Sequence, residues 1–284
     1  MAANEKRSIV HIPTLTAISL VAWALVDVLH EIVGHAGASI LIGLPVKAVS
    51  TTTAYIDFNW DQLVAERGLS PIRVMVAAGT VINLITGALA LLALQWKKVT
   101  GTGTRYFLWL FATFSLVIVT MNLVTNPLLG FGDWTEFLSG LEPKSIWKTV
   151  VVGTGLMLMV AGYVLTLRRW MPRLKGQRST LIKVTVLPVI TMIVVQTMSL
   201  VKSPFAALPP ERNHLLASVF AYIHLVLWAV VVNLVPEPRS SDSVDAIRLP
   251  GSNTWLALGL VVLVLYVIVL GPGIGSFAGD PRLG

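Results

Sequence analysis

Long apolar runs separated by short polar connections dominate the chain. Seven of them, at about 9–43, 71–96, 106–128, 147–167, 182–202, 214–235 and 254–271, reach the roughly 20 residues that a membrane-spanning helix needs. The pattern predicts an all-α polytopic membrane protein with about seven transmembrane helices. The first run is too long for one straight pass, so its helix tilts, breaks or continues past the bilayer surface. It is also too long for a cleavable leader and reads as a retained helix. One connection differs in kind. Residues 45–70 hold "VSTTTAYIDF", whose β-branched and aromatic content predicts a short β-like hairpin after the first helix. The connection at 126–146 is broken by Asn-Pro and glycines, as a functional turn would be. Segments 168–181 and 236–252 read as a basic connector and a polar loop. The tail "GPGIGSFAGDPRLG" reads as irregular, with little to anchor it.

Composition agrees with the pattern. Only 12% of the 284 residues are charged, against about 25% in soluble domains, so the bilayer itself is the first implied partner. The net charge of +7 does not point to nucleic acid, because the cations gather in loops of one parity. Lys6 and Arg7, Lys97, Lys98 and Arg105, the run from Arg168 to Lys183, then Arg239 and Arg248 fall on one side. That is the positive-inside bias. It places the N-terminus in the cytoplasm and, with seven spans, the C-terminus outside a cell (plasma) membrane. Cysteine is absent, so no disulfide shapes the fold.

The chemistry concentrates in "VDVLHEIVGHAG", which sets Asp27, His30, Glu31 and His35 into an otherwise apolar helix. Each such residue costs about 2.5–3.5 kcal/mol at a helix centre, so four in nine positions call for a purpose. In the zinc-protease motif H-E-x-x-H the histidines stand about 40° apart on one face and the glutamate acts as base. Here they are at i and i+5, about 140° apart on a regular helix. A π-bulge, cheap at Gly34, would return both to one ion. "HEIVGH" also spells the H-E-x-x-G-H zinc motif of a family of soluble dipeptidyl peptidases. On a straight helix, by contrast, Asp27, Glu31 and His35 form a stripe that would bind metal or relay protons without His30.

Three pieces of the chain resemble the site-2 protease family of intramembrane zinc metalloproteases. They are "LHEIVGHAGASILIGLPV", "AAGTVINLITGALALL" at 77–92, and "NLVTNPLLGFGDW" at 122–134. The second is similar to the family's A-G-P-x-x-N helix, with Gly79 and Asn83 in register and Thr80 in place of proline. The third stands where the family has N-P-x-L-D-G, although its aspartate comes several residues later. The likeness covers about residues 15–135. It implies a Zn2+ site held by His30, His35 and Asp133, with Glu31 as general base. It also implies that Asn83 and Gly79 face the substrate, with Asp27 and Asn126 supporting the ligands from behind. Residues 1–135 would then be the catalytic transmembrane core, comprising motif helix, Asn helix and third-ligand loop. Residues 136–284 would add further helices of unassigned role. Read from the residues alone, Asn83 serves equally as an interhelical hydrogen bond, Asp133 as a helix cap, and Asp27 as a bond to a neighbouring helix.

The expected activity is hydrolysis of peptide bonds in or near transmembrane segments of membrane-protein substrates. Two other classes stay open at this point. One is a membrane zinc hydrolase of a lipid or small amide. The other is a non-catalytic transporter or scaffold with a degenerate site.

Overall fold

The computed structural model describes residues 10–163, 178–204, 215–234 and 248–278. Lys6, Arg7, the connector up to residue 177 and most of the 236–252 loop lie outside the described residues.

The first apolar run is one helix in three parts. α1 (Ile12–Val28) opens behind His11, whose ring accepts from the Thr14 amide, and carries Pro13 in its first turn. Proline is free of cost there because that N–H has no helical partner. A π segment follows (Leu29–Ala36), then α2 (Gly37–Leu41). The widened turn expected near Gly34 is therefore present, and it spans the whole histidine motif. Strands β1 (Val46–Val49) and β2 (Ala54–Ile56) form the expected antiparallel hairpin. α3 (Trp60–Arg67), α4 (Ser70–Ala93) and α5 (Thr102–Leu129) come next. The 126–146 stretch is less of a loop than its glycines suggested. Asn126 and Pro127 still belong to α5, and a short helix α6 (Asp133–Phe137) follows before α7 (Lys144–Tyr163). α8 (Arg178–Lys202), α9 (Leu215–Leu234) and α10 (Asn253–Leu263) complete the helices, with a second π segment (Val264–Leu270) after α10.

Among the described residues, six helices are long and apolar enough to cross a membrane: Ile12–Leu41, Ser70–Ala93, Thr102–Leu129, Lys144–Gly162, Ser179–Lys202 and Asn253–Leu270. The remaining expected stretch, 214–235, is α9, whose described apolar part is the shorter Tyr222–Val231. Large apolar side chains stand exposed on the outer faces, for example Val74, Val81, Ile85, Leu89 and Leu92 along α4. Contiguous apolar surface on that scale is foreign to a protein bathed in water.

The tail corrects its expectation. Instead of trailing unanchored, Ile274–Gly275 forms β3 and pairs antiparallel with β1, giving a sheet ordered β2-β1-β3. The Ser276 amide donates to the Lys47 carbonyl at 3.1 Å, and Phe277 stacks on Tyr55. α1 and α10 also begin side by side, where the His11 amide donates to the Leu249 carbonyl and that of Ser252 to Thr14 Oγ1. Both lead into the same sheet, so they run in the same direction. A single core joins the two halves of the chain, with Trp23 of α1 edge-on to Phe114 of α5 and packed with Met192, Leu225 and Tyr266.

Two helical segments meet glycine on glycine. A Cβ on Gly34 would stand 2.5 Å from the Gly79 Cα and 2.8 Å from its amide nitrogen, so the π segment and α4 touch backbone to backbone. Backbone cannot step aside as a side chain can. Gly34→Ala should therefore lower the melting temperature in detergent, by the equivalent of about 1–3 kcal/mol of overpacking. Gly153→Ala on α7, where an added Cβ meets nothing, should leave it unchanged.

Candidate metal centre

The π segment brings His30 and His35 together. Their Nε2 atoms lie 3.2 Å apart, with the rings edge-to-face. Asp133, the first residue of α6, adds its Oδ2 at 3.5 Å from His30 Nε2 and 3.2 Å from His35 Nε2. These three expected ligands form a group able to hold a metal ion, the one such group among the described residues. The straight-helix stripe of Asp27, Glu31 and His35 is not what converges.

The protons on the imidazoles decide what the triangle can hold. His35 Nδ1 is 2.9 Å from the Met75 carbonyl, which can only accept. Nδ1 therefore carries the hydrogen, and in the neutral ring Nε2 presents its lone pair. His30 Nδ1 is 3.3 Å from the amide nitrogen of Asn83, while the buried Asn83 Oδ1 has no partner. Turning that amide over brings Oδ1 to Nδ1, satisfies the orphaned oxygen and leaves His30 Nε2 bare as well. Three acceptors then face one another across 3.2–3.5 Å with nothing donated between them. They repel unless a cation or a shared proton joins them. A tetrahedral zinc ion with ligands at about 2.0–2.2 Å has ligand–ligand edges of about 3.3–3.6 Å. The residues fit such an ion.

Asp133 is electrostatically suited to the group. Burial works against its ionisation, but positive charge on the imidazoles of His35 and His30, standing where a cation would otherwise sit, outweighs that and holds its carboxyl well below the usual carboxylate range. Burial and the Asp133 charge push the neighbouring Glu136 upward. The histidine side chains are about one-tenth exposed and that of Asp133 30%, so the centre is reached from the Asp133 side.

Gly79 has a clear role here. A Cβ on it would stand 2.6 Å from His35 Nε2 and 2.8 Å from His30 Nε2, so its bare backbone makes room for both rings. Asn83 points its amide at His30, an interhelical bond rather than an exposed substrate contact. Asn126 packs its side chain under Gly132, and its carbonyl accepts from the Gly130 amide and from Thr135 Oγ1 at 2.8 Å. It thus braces the turn that delivers Asp133. Asp27 orients neither imidazole, since Met75 and Asn83 occupy both Nδ1 atoms. Its Oδ2 instead accepts from Tyr266 at 2.8 Å. Glu31, at the start of the π segment, lies within electrostatic reach of both His35 and Asp27.

Several contributors escaped sequence reasoning. Met75 acts through its carbonyl, which leaves no trace in the sequence. Trp134 and Thr80 are joined by a 2.9 Å hydrogen bond. Both lay inside the motif segments, Thr80 at the very position where proline was expected. Compared with family models, with curated proteins and with solved structures, the chain finds no match.

Gly79→Ala should displace the imidazoles and lower zinc affinity about tenfold or more, the counterpart of 1–3 kcal/mol of overpacking. Gly87→Ala, one helical face over and against the Ser115 side chain, should leave zinc affinity as it is. Competition with a chromophoric chelator on the two purified variants distinguishes these outcomes.

Proposed function

We propose that the chain is a multi-pass membrane zinc metalloprotease, hydrolysing peptide bonds in or near transmembrane segments of membrane-protein substrates. The convergence of His30 Nε2, His35 Nε2 and Asp133 Oδ2 carries this reading, with Glu31 adjoining in the chain. His30, His35 and Asp133 would hold the metal. When bound, zinc would supply Lewis acidity, polarising a carbonyl and acidifying a water. Glu31 would take a proton from the attacking water and hand it to the leaving nitrogen, as general base and then general acid.

The helices fit a bilayer arrangement with an odd number of passes. α1 and α10 run in the same direction, which six alternating crossings would not allow. α9 would then be the seventh. The positive-inside bias then orients the N-terminus to the cytoplasm, and the π segment comes about 27 Å along from Ile12 at 1.5 Å per residue. The centre would open towards the outer side of a cell membrane, where Asp133 is partly exposed.

A substrate helix has its amides internally bonded and must unwind before it can be cut. The hairpin packs beside the π segment. β2 (Ala54–Ile56) is the strand of the sheet farthest from β3, and an extended chain would be received beside it by strand addition.

Glu31→Gln keeps size and hydrogen bonding but removes the base. The variant should retain zinc while losing about 10²–10⁴-fold in cleavage rate, read by metal analysis beside a peptide-cleavage assay. Loss of the metal would make Glu31 a ligand, and unchanged cleavage would end the hydrolytic reading.

A further inference from the structure

The Asp133 carboxylate is delivered to the centre by a short helix. Asp133 opens a helix of five residues, preceded by Gly130 and Gly132 with φ of 78° and 80°, and its cap position has no side-chain hydrogen bond. Something else must hold it against the histidines. Three sets of contacts tie α6 down. Thr135 Oγ1 donates to the Asn126 carbonyl, which joins α6 to α5. Arg73 donates to the carbonyls of Phe137 at 3.2 Å and Ser139 at 2.8 Å, which joins the far end of α6 to the start of α4. The remaining bond runs from Trp134 Nε1 to Thr80 Oγ1 at 2.9 Å. It reaches α4 at the level of Gly79, where that helix lines both imidazoles. Thr80 is 3% exposed, and Asn122 Nδ2 approaches the same hydroxyl at a looser 3.5 Å.

We infer that Thr80 and Trp134 are a positioning pair whose hydrogen bond sets where the Asp133 carboxylate stands against His30 and His35. Trp134 follows Asp133 in the chain, and Thr80 follows Gly79. One bond therefore fixes the ligand from the short helix relative to the two from the π segment. It uses a hydroxyl that accepts and an indole N–H that only donates. Neither residue touches the metal or the reacting atoms, so both act through Asp133. The inference rests on the reading of this centre as a metal site.

The test is zinc affinity, measured by chelator competition on purified protein in detergent, with far-ultraviolet circular dichroism to check folding. Thr80→Val removes the hydroxyl at constant shape and should weaken zinc binding about 10–100-fold, the usual effect of losing a bond behind a ligand. Thr80→Ser keeps the hydroxyl and should bind as wild type. Trp134→Phe should match Thr80→Val, and the double variant should be no weaker than either single, because both remove the same bond. Wild-type affinity in Thr80→Val, an equal loss in Thr80→Ser, or additive losses in the double variant would each overturn the pair. A wild type that takes up no zinc would overturn the metal reading and the pair with it, which separates the two failures.

Discussion

Two imidazoles five residues apart on one helix have to meet at a point, and much of the local structure follows from that demand. A regular helix would turn His35 away from His30. The π segment turns it back, and its wider backbone has to be accommodated by the helix opposite. Gly34 lets the segment press directly on α4 at Gly79, and Gly79 leaves the space into which both rings project. The same helix supplies the Met75 carbonyl and the Asn83 amide that hold the outer ring nitrogens. Three positions over about two turns of α4 thus shape the pair. The cost of gathering three acceptors in a poorly hydrated interior makes a cation their natural complement.

The second half of the chain contributes more than bulk. Asp27 is one turn ahead of His30 in a helix whose surroundings are apolar, where a lone carboxyl is costly. Tyr266, from the π segment after α10, donates to it. Gln196 of α8 meets the same phenol, and the Trp23 indole donates to Gln196 at 2.9 Å. Both π segments therefore border one polar cluster, and departures of that kind collect at working parts of proteins. On the sheet side, Thr51 and Ser199 exchange a 2.6 Å hydrogen bond between the hairpin and α8. α8 and α10 flank α1, Tyr266 satisfies its stray polar group, and β3 extends the sheet.

What the sequence disclosed depended on how local the signal was. Apolar run length and the β-branched "VSTTTAYIDF" act within one element, and both the long helices and the hairpin followed from them. The i, i+5 spacing of the histidines was also local, and it led directly to the widened turn. Asp133 was reached only through its place in a motif, since nothing in "GFGDW" says which way a carboxylate will point. Asp27 was misplaced for a physical reason. Its partner Tyr266 is 239 residues away, and a neighbouring histidine is the nearer guess. The tail differs from its reading because a two-residue strand that follows one glycine and contains another carries almost no propensity; the β1 edge supplies what it lacks.

The sheet is what favours a peptide over a lipid as the proposed substrate. An acyl chain has no hydrogen-bonding pattern along its length and would be received by an apolar pocket alone. An unwound polypeptide arrives with a row of amides that must be satisfied before it can lie in an apolar setting. β1 and β2 both pack against the segment that bears His30 and His35, so the β2 edge of the sheet lies beside the centre. The sheet is also short, with β2 as the edge strand on the side away from β3. That arrangement would select an extended, locally unfolded chain and leave intact helices unengaged.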